Sequence, residues 1–90
     1  MRANVYEALI NADRVKTATA TFHCIDALQR FHEDRGVQTN AAAILFILLC
    51  ERFQLNQQDV FTVAKNLLNT HDDRLGTEFE AIRMYLREEL

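Results

Sequence analysis

An all-α fold, a compact bundle of four to five helices with no β-sheet, is what this sequence predicts, and three observations carry that prediction. Proline is absent, and Gly36 and Gly76 are the only glycines in 90 residues, so the residues that punctuate turns and strands are nearly missing. Ala, Leu, Arg, Glu and Gln are abundant, and these are the better helix formers. Apolar side chains recur at spacings of three and four, the mark of one buried helix face. A hydrophobic content of 49% is too high for a disordered tail, and the length fits one domain over residues 1–90. A domain this small buries only about 60–65% of the surface its unfolded chain exposes. Its core must therefore be efficient or shared with a second chain.

The elements follow in order. Val5, Tyr6, Leu9 and Ile10 form a short helical stripe, interrupted by Asn11 and Asp13, either of which can cap the next helix. Val15, Ala18, Phe22, Ile25, Leu28 and Phe31 then mark a second helix. The alternation of Thr17-Ala18-Thr19-Ala20-Thr21 imitates a strand, but the helical stripe runs through it and no partner strand exists elsewhere. This helix is expected to stop at Arg35, with Gly36 as the left-handed residue after the cap and Val37 folded back on Phe31.

A third helix is expected after Thr39 or Asn40, reading AAAILFILLCERF. Each residue advances about 100° round the axis, so Ile44 to Leu49 place large apolar groups on every side. Such a helix needs cover all round, more than its neighbours in a 90-residue monomer supply. A symmetric dimer is the expected remedy, with Phe46, Ile47 and Leu48 at its seam. Asn56 caps the next helix, with Asp59 three residues on and Leu55 and Val60 placed as a hydrophobic staple. Val60, Ala64, Leu67 and Leu68 are its buried stripe. The last helix begins near Asp72 or Asp73 and carries Leu75, Phe79, Ile82 and Leu86 on one face; a start at Thr77, boxed by Glu80, is the rival. Glu88 and Glu89 meet the negative end of its dipole, so its last turn is expected to fray.

Charge and composition narrow the function. The formal charge of -3 lies wholly from Asp72 onward, where six acids outnumber three arginines. That balance disfavours nucleic acid without excluding a local basic patch. Serine is absent, which removes a serine nucleophile. His23 and Cys24 are adjacent and so point about 100° apart on a helix; Cys50 lies in the most apolar segment, where a thiol is an inert core group. His23, Cys24, His32, Cys50, His71 and Asp72 match no zinc spacing. No glycine-rich phosphate loop occurs, and the pairs Glu33-Asp34 and Asp72-Asp73 read as capping and solubility. The expectation is no enzyme, no metal and no cofactor. Residues 1–14 contain no apolar signal core, and the longest apolar run, Ala41 to Cys50, spans about 15 Å as a helix, half a bilayer. Two unpaired cysteines with no CxxC complete the expectation of a reduced, cytoplasmic protein outside the membrane.

The segment FILLCERFQLNQQDVFTVAK, Phe46 to Lys65, resembles a helix-turn-helix unit with Gln54-Leu55-Asn56 as its turn. Leu49, Phe53, Leu55, Val60 and Val63 occupy that family's apolar positions. The resemblance implies that Gln57, Gln58 and Thr62 lie on the exposed start of a recognition helix, where glutamine reads adenine, with Arg52 and Lys65 available for phosphates. In a second register, QTNAAAILFILLC followed by LNQQDV resembles MarR-like winged-helix regulators without the wing. That register implies a recognition helix in residues 72–90, with Arg74, Arg83 and Arg87 on phosphates. Lys65 is the sole base between Arg52 and Arg74, and phosphate neutralisation supplies most non-specific affinity. The leading expectation is therefore a dimeric helical protein that binds a protein partner, as regulator or scaffold, through polar faces around Arg30 to Arg35 and Glu78 to Arg87. A small DNA-binding regulator is the alternative. A further one is an accessory inhibitor that presents its acidic last helix to a basic partner.

Overall fold

The computed structural model describes the backbone of residues 2–31, 33–69 and 73–89 and the side chains of residues 5–31, 33–69 and 78–89. The fold is all-α, with no strand among the described residues. Five helices follow one another: α1 (Arg2–Ile10), α2 (Arg14–Phe31), α3 (Arg35–Phe53), α4 (Gln57–Leu68) and α5 (Asp73–Glu89).

Asp13 opens α2, accepting from the Lys16 N–H at 2.9 Å. The alternating threonines stay helical because each hydroxyl finds a carbonyl one turn back. Thr17 donates to Asp13 O, Thr19 to Val15 O and Thr21 to Thr17 O, at 2.8–2.9 Å. A polar side chain satisfied by its own helix has no need of a neighbouring strand.

The α2–α3 boundary corrects the sequence expectation. α2 ends at Phe31, not Arg35, and α3 begins at Arg35, a turn before Thr39 and Asn40. Gly36 lies inside the first turn of α3 and has no positive φ. The cause is Asp34. In extended conformation, its side chain accepts from the N–H groups of both Gly36 and Val37, at 2.7 and 3.1 Å. Two of the four donors orphaned at a helix start are thereby satisfied. A Cβ at position 36 would stand 3.1 Å from that carboxylate oxygen, so glycine here admits the cap rather than ending a helix. Phe31 is 81% exposed and Val37 is exposed as well, so the expected fold-back buries neither side chain.

At its other end α3 stops as a Schellman motif. Leu55 N–H donates to Cys50 O at 2.8 Å and Gln54 N–H to Glu51 O at 3.2 Å, with Gln54 left-handed at φ 54°, ψ 48°. Asn56 then caps α4, accepting from the Asp59 N–H at 3.0 Å, as its sequence predicts. α5 begins at Asp73, the earlier of the two expected starts; the side chains of Leu75, Gly76 and Thr77 lie outside the described residues.

Packing is uneven. α2 lies against α5 around Ala18, Phe79 and Ile82, with Ile25, Leu86 and Leu67 of α4 closing on them. Tyr85 reinforces this pair: its hydroxyl donates to Gln29 Oε1 at 2.8 Å and its ring sits 4.9 Å from that of Phe22. α4 packs on α1 and on α3, and Arg14 donates to the carbonyl of Leu67 at 2.6 Å, covering an oxygen that the end of α4 leaves unpaired. The molecule measures 38 × 31 × 18 Å. Its short dimension is about that of two helix layers of about 10–12 Å each, so no layer lies wholly inside the molecule.

Candidate functional site

Helix α3 carries the feature that most needs explaining. Cys50 is buried and Phe46, one turn earlier, is half-buried, so this side faces inward, toward α4. With about 100° per residue, Val37, Ala41, Ile44, Leu45 and Leu48 fall on the opposite side, and all are exposed. Ile44 is 55% and Leu48 54% exposed. Ile47 and Leu49 flank this face and are exposed too. Of the three residues expected at the dimer seam, the structure thus brings Ile47 and Leu48 to the surface and half-buries Phe46. Periodicity could not separate these positions, because the segment is apolar all round and carries no polar residue to mark the outside.

Scattered apolar side chains are normal on a protein surface, but a contiguous stripe marks an interaction site. Here the stripe coincides with a thin core. Among the described residues, the buried apolar side chains are Ala18, Cys50, Phe79 and Ile82, and no large one is completely enclosed. The accessible surface is 7089 Å², against about 5,400 Å² expected for a folded monomer of 10.4 kDa. Over the whole chain roughly 1,700 Å² is therefore in excess.

Among the described residues α3 is also the one helix long and apolar enough to cross a membrane by length and composition. Its apolar part is shorter than the helix. Gln38, Thr39 and Asn40 precede Ala41, and Glu51 and Arg52 follow Cys50. The ten residues between extend about 15 Å, against about 30 Å of hydrocarbon.

The outward face of α4 is different in kind. Gln57, Gln58, Thr62 and Lys65 are all exposed, and Gln58 Nε2 donates to Thr62 Oγ1 at 3.4 Å. Phe61 lies among them, with the Lys65 ammonium 6.0 Å from its ring centre. Arg52, on α3, is exposed and stands 5.3 Å from the ring of Phe53. Thr62 also borders a groove against Tyr6, Leu9 and Ile10 of α1. α4 carries one acid, Asp59 in its first turn, and one base, Lys65 in its last, so its own charges balance.

No family model, curated protein or solved structure matches the chain. Function therefore has to be argued from these surfaces alone.

The remaining groups offer little reactive chemistry. Cys24 is exposed and Cys50 buried. No three His, Cys, Asp or Glu side chains come together to hold a metal among the described residues; His32, His71 and Asp72 lie outside them. Gln29, Glu33, Arg35, Gln38 and Glu89 line a polar groove where α2 ends, α3 starts and α5 finishes. It contains Glu33 and Arg35 of the first polar face expected from sequence and no residue of the second, Glu78 to Arg87. An apolar cleft between α2 and α5 holds Phe22, His23 and Glu78, and Glu78 Oε2 is buried there without a hydrogen-bond partner. Only the meeting of Glu78 with α2 in space reveals this, since nothing in the local sequence separates it from a solvated glutamate.

Proposed function

We propose that this chain is a non-enzymatic, dimeric helical protein that acts by binding a protein partner, as a regulator or scaffold. The observation that carries the reading is the uncovered apolar face of α3, on a molecule whose own core is thin. Burial of apolar surface is worth about 25 cal/mol per Å², so a face of this kind left in water forgoes stabilisation that a second protein surface supplies. The polar groove of Gln29, Glu33, Arg35, Gln38 and Glu89 offers polar and charged groups of three helices to such a partner. Light scattering coupled to size exclusion tests the reading. A species of twice the 10.4 kDa chain mass is expected at micromolar concentration, and Leu48→Glu is expected to return a folded monomer because Leu48 already faces solvent in the protomer. A wild-type monomer at every concentration overturns it.

A second reading, a small helix-turn-helix DNA-binding regulator, is favoured by one observation: Gln57, Gln58, Thr62 and Lys65 are exposed together after the turn at Gln54. Charge argues against it, since one lysine neutralises little backbone phosphate. Under this reading, duplex DNA binds in a salt-dependent way, and Gln57→Ala with Gln58→Ala removes sequence preference while weak binding persists. Under the protein-binding reading, duplex DNA at moderate salt leaves the chain unbound.

A further inference from the structure

We infer that the occupant of the α3 face is a second copy of this chain, its own α3 packed antiparallel about a two-fold axis that passes between Ile44 and Leu45. The inference rests on the dimeric reading above and specifies its geometry.

Area argues for a second copy. The whole chain exposes roughly 1,700 Å² more than a compact monomer of its mass, on the scale of the roughly 1,000–2,500 Å² that each partner buries in an obligate homodimer, and the α3 stripe is one part of that surface. Composition agrees. From Val37 to Leu48 the exposed stripe carries no charge, whereas surfaces for transient partners are about as polar as the rest of a protein. A self-complementary face also needs no partner of matched chemistry, because the same patch serves both sides of a two-fold interface.

Shape and charge fix the orientation. Val37, Ala41, Ile44 and Leu48 are spaced four, three and four, the seam of a helix pair. With the axis between Ile44 and Leu45, Ala41 of one protomer meets Leu48 of the other, small against large. The charges at the two ends decide against a parallel pair. Asp34 caps the start of α3 and Arg52 lies in its last turn, and their separation of 18 positions makes five full turns, which puts both on the same side. A parallel pair sets Asp34 beside Asp34 and Arg52 beside Arg52. The antiparallel pair sets each Arg52 within about one turn of the other protomer's Asp34 and also opposes the two helix dipoles. A membrane span is the poorer fate for this helix, because the uncharged apolar stretch covers only half a bilayer.

Cysteine cross-linking of the full-length chain tests this. The background is Cys24→Ser, since Cys24 is the exposed thiol. A disulfide requires Cα atoms within about 7 Å. In the antiparallel pair, position 41 of one chain faces position 48 of the other, while two copies of position 41 are offset by about 10 Å along the axis. Mixing Ala41→Cys and Leu48→Cys chains, distinguished by a tag, and oxidising them mildly is expected to give the mixed disulfide and little of either self-disulfide. Leu45→Cys, near the axis, is expected to link to itself. Circular dichroism confirms that each variant is folded; these positions face solvent in the protomer, so little is disturbed. Efficient self-disulfides at both 41 and 48 mean a parallel pair and overturn the inference. A dimer by light scattering with none of these disulfides places the interface elsewhere, overturning the inference but leaving the dimeric reading intact. A monomer overturns both, and its co-sedimentation with vesicles of phosphatidylcholine and phosphatidylglycerol would then make lipid the occupant.

Discussion

At the scale of single residues, Asp34, Gln54 and Asn56 determine where α3 begins, where it ends and where α4 starts. Asn56 accepts from the Asp59 N–H, so Asn56→Ala is expected to lower stability by about 1 kcal/mol, read as a fall in the urea midpoint at unchanged slope. Gln54 works in the other direction. It holds a left-handed conformation that costs an L side chain roughly 1–2 kcal/mol, and the two Schellman hydrogen bonds come from backbone and survive its replacement. Gln54→Gly is expected to raise stability by up to about 1 kcal/mol, read as a rise in the same midpoint and reduced somewhat by glycine's freedom in the unfolded chain. The cap at Asn56 was legible because an acceptor, an acid three residues on and a staple pair coincide in sequence. The cap at Asp34 was not. Glycine after a helix is the commoner signal, and the same Gly36 fits either role until the backbone fixes which donors Asp34 reaches.

At the scale of elements, α2 and α5 form the best-packed pair and α3 the least covered. Their stripes explain the contrast. Ala18, Ile25, Phe79, Ile82 and Leu86 recur at helical spacing with polar residues between them, so each helix has one defined inward face and the sequence reveals it. α3 has apolar residues on all sides, so sequence predicts that it needs cover but leaves open which side α4 takes. That choice depends on the register at Cys50 and Phe46, a tertiary matter. The hydrogen bond from Tyr85 to Gln29 bridges 56 residues of sequence and was invisible for the same reason. Tyr85→Phe keeps the ring against Phe22 and removes only the donor. It is expected to cost about 0.5–1.5 kcal/mol without changing the oligomeric state, as α3 is untouched; chemical denaturation and light scattering on the same sample check both halves.

At the scale of the molecule, a thin core beside a broad apolar face means that, under the proposed dimer, stability belongs to the assembly. If the protomer gains stability from its twin's cover, association is linked to folding, and the melting midpoint depends on protein concentration. A tenfold rise in concentration adds about 1.4 kcal/mol per mole of dimer. Unfolding entropy near the midpoint is about 2.1 cal/mol/K per residue, or about 0.4 kcal/mol/K for two chains of 90 residues. The midpoint is therefore expected to climb by roughly 3–4 °C for each decade of concentration. Leu48→Glu should melt at a lower temperature that no longer moves with concentration, because a charge at the centre of the stripe cannot be buried unpaired. Calorimetry at two concentrations tenfold apart distinguishes the cases. A wild-type midpoint that stays fixed while light scattering reports a dimer would mean that the protomer is stable alone and pairs afterwards, and the apolar face of α3 would then serve recognition rather than folding.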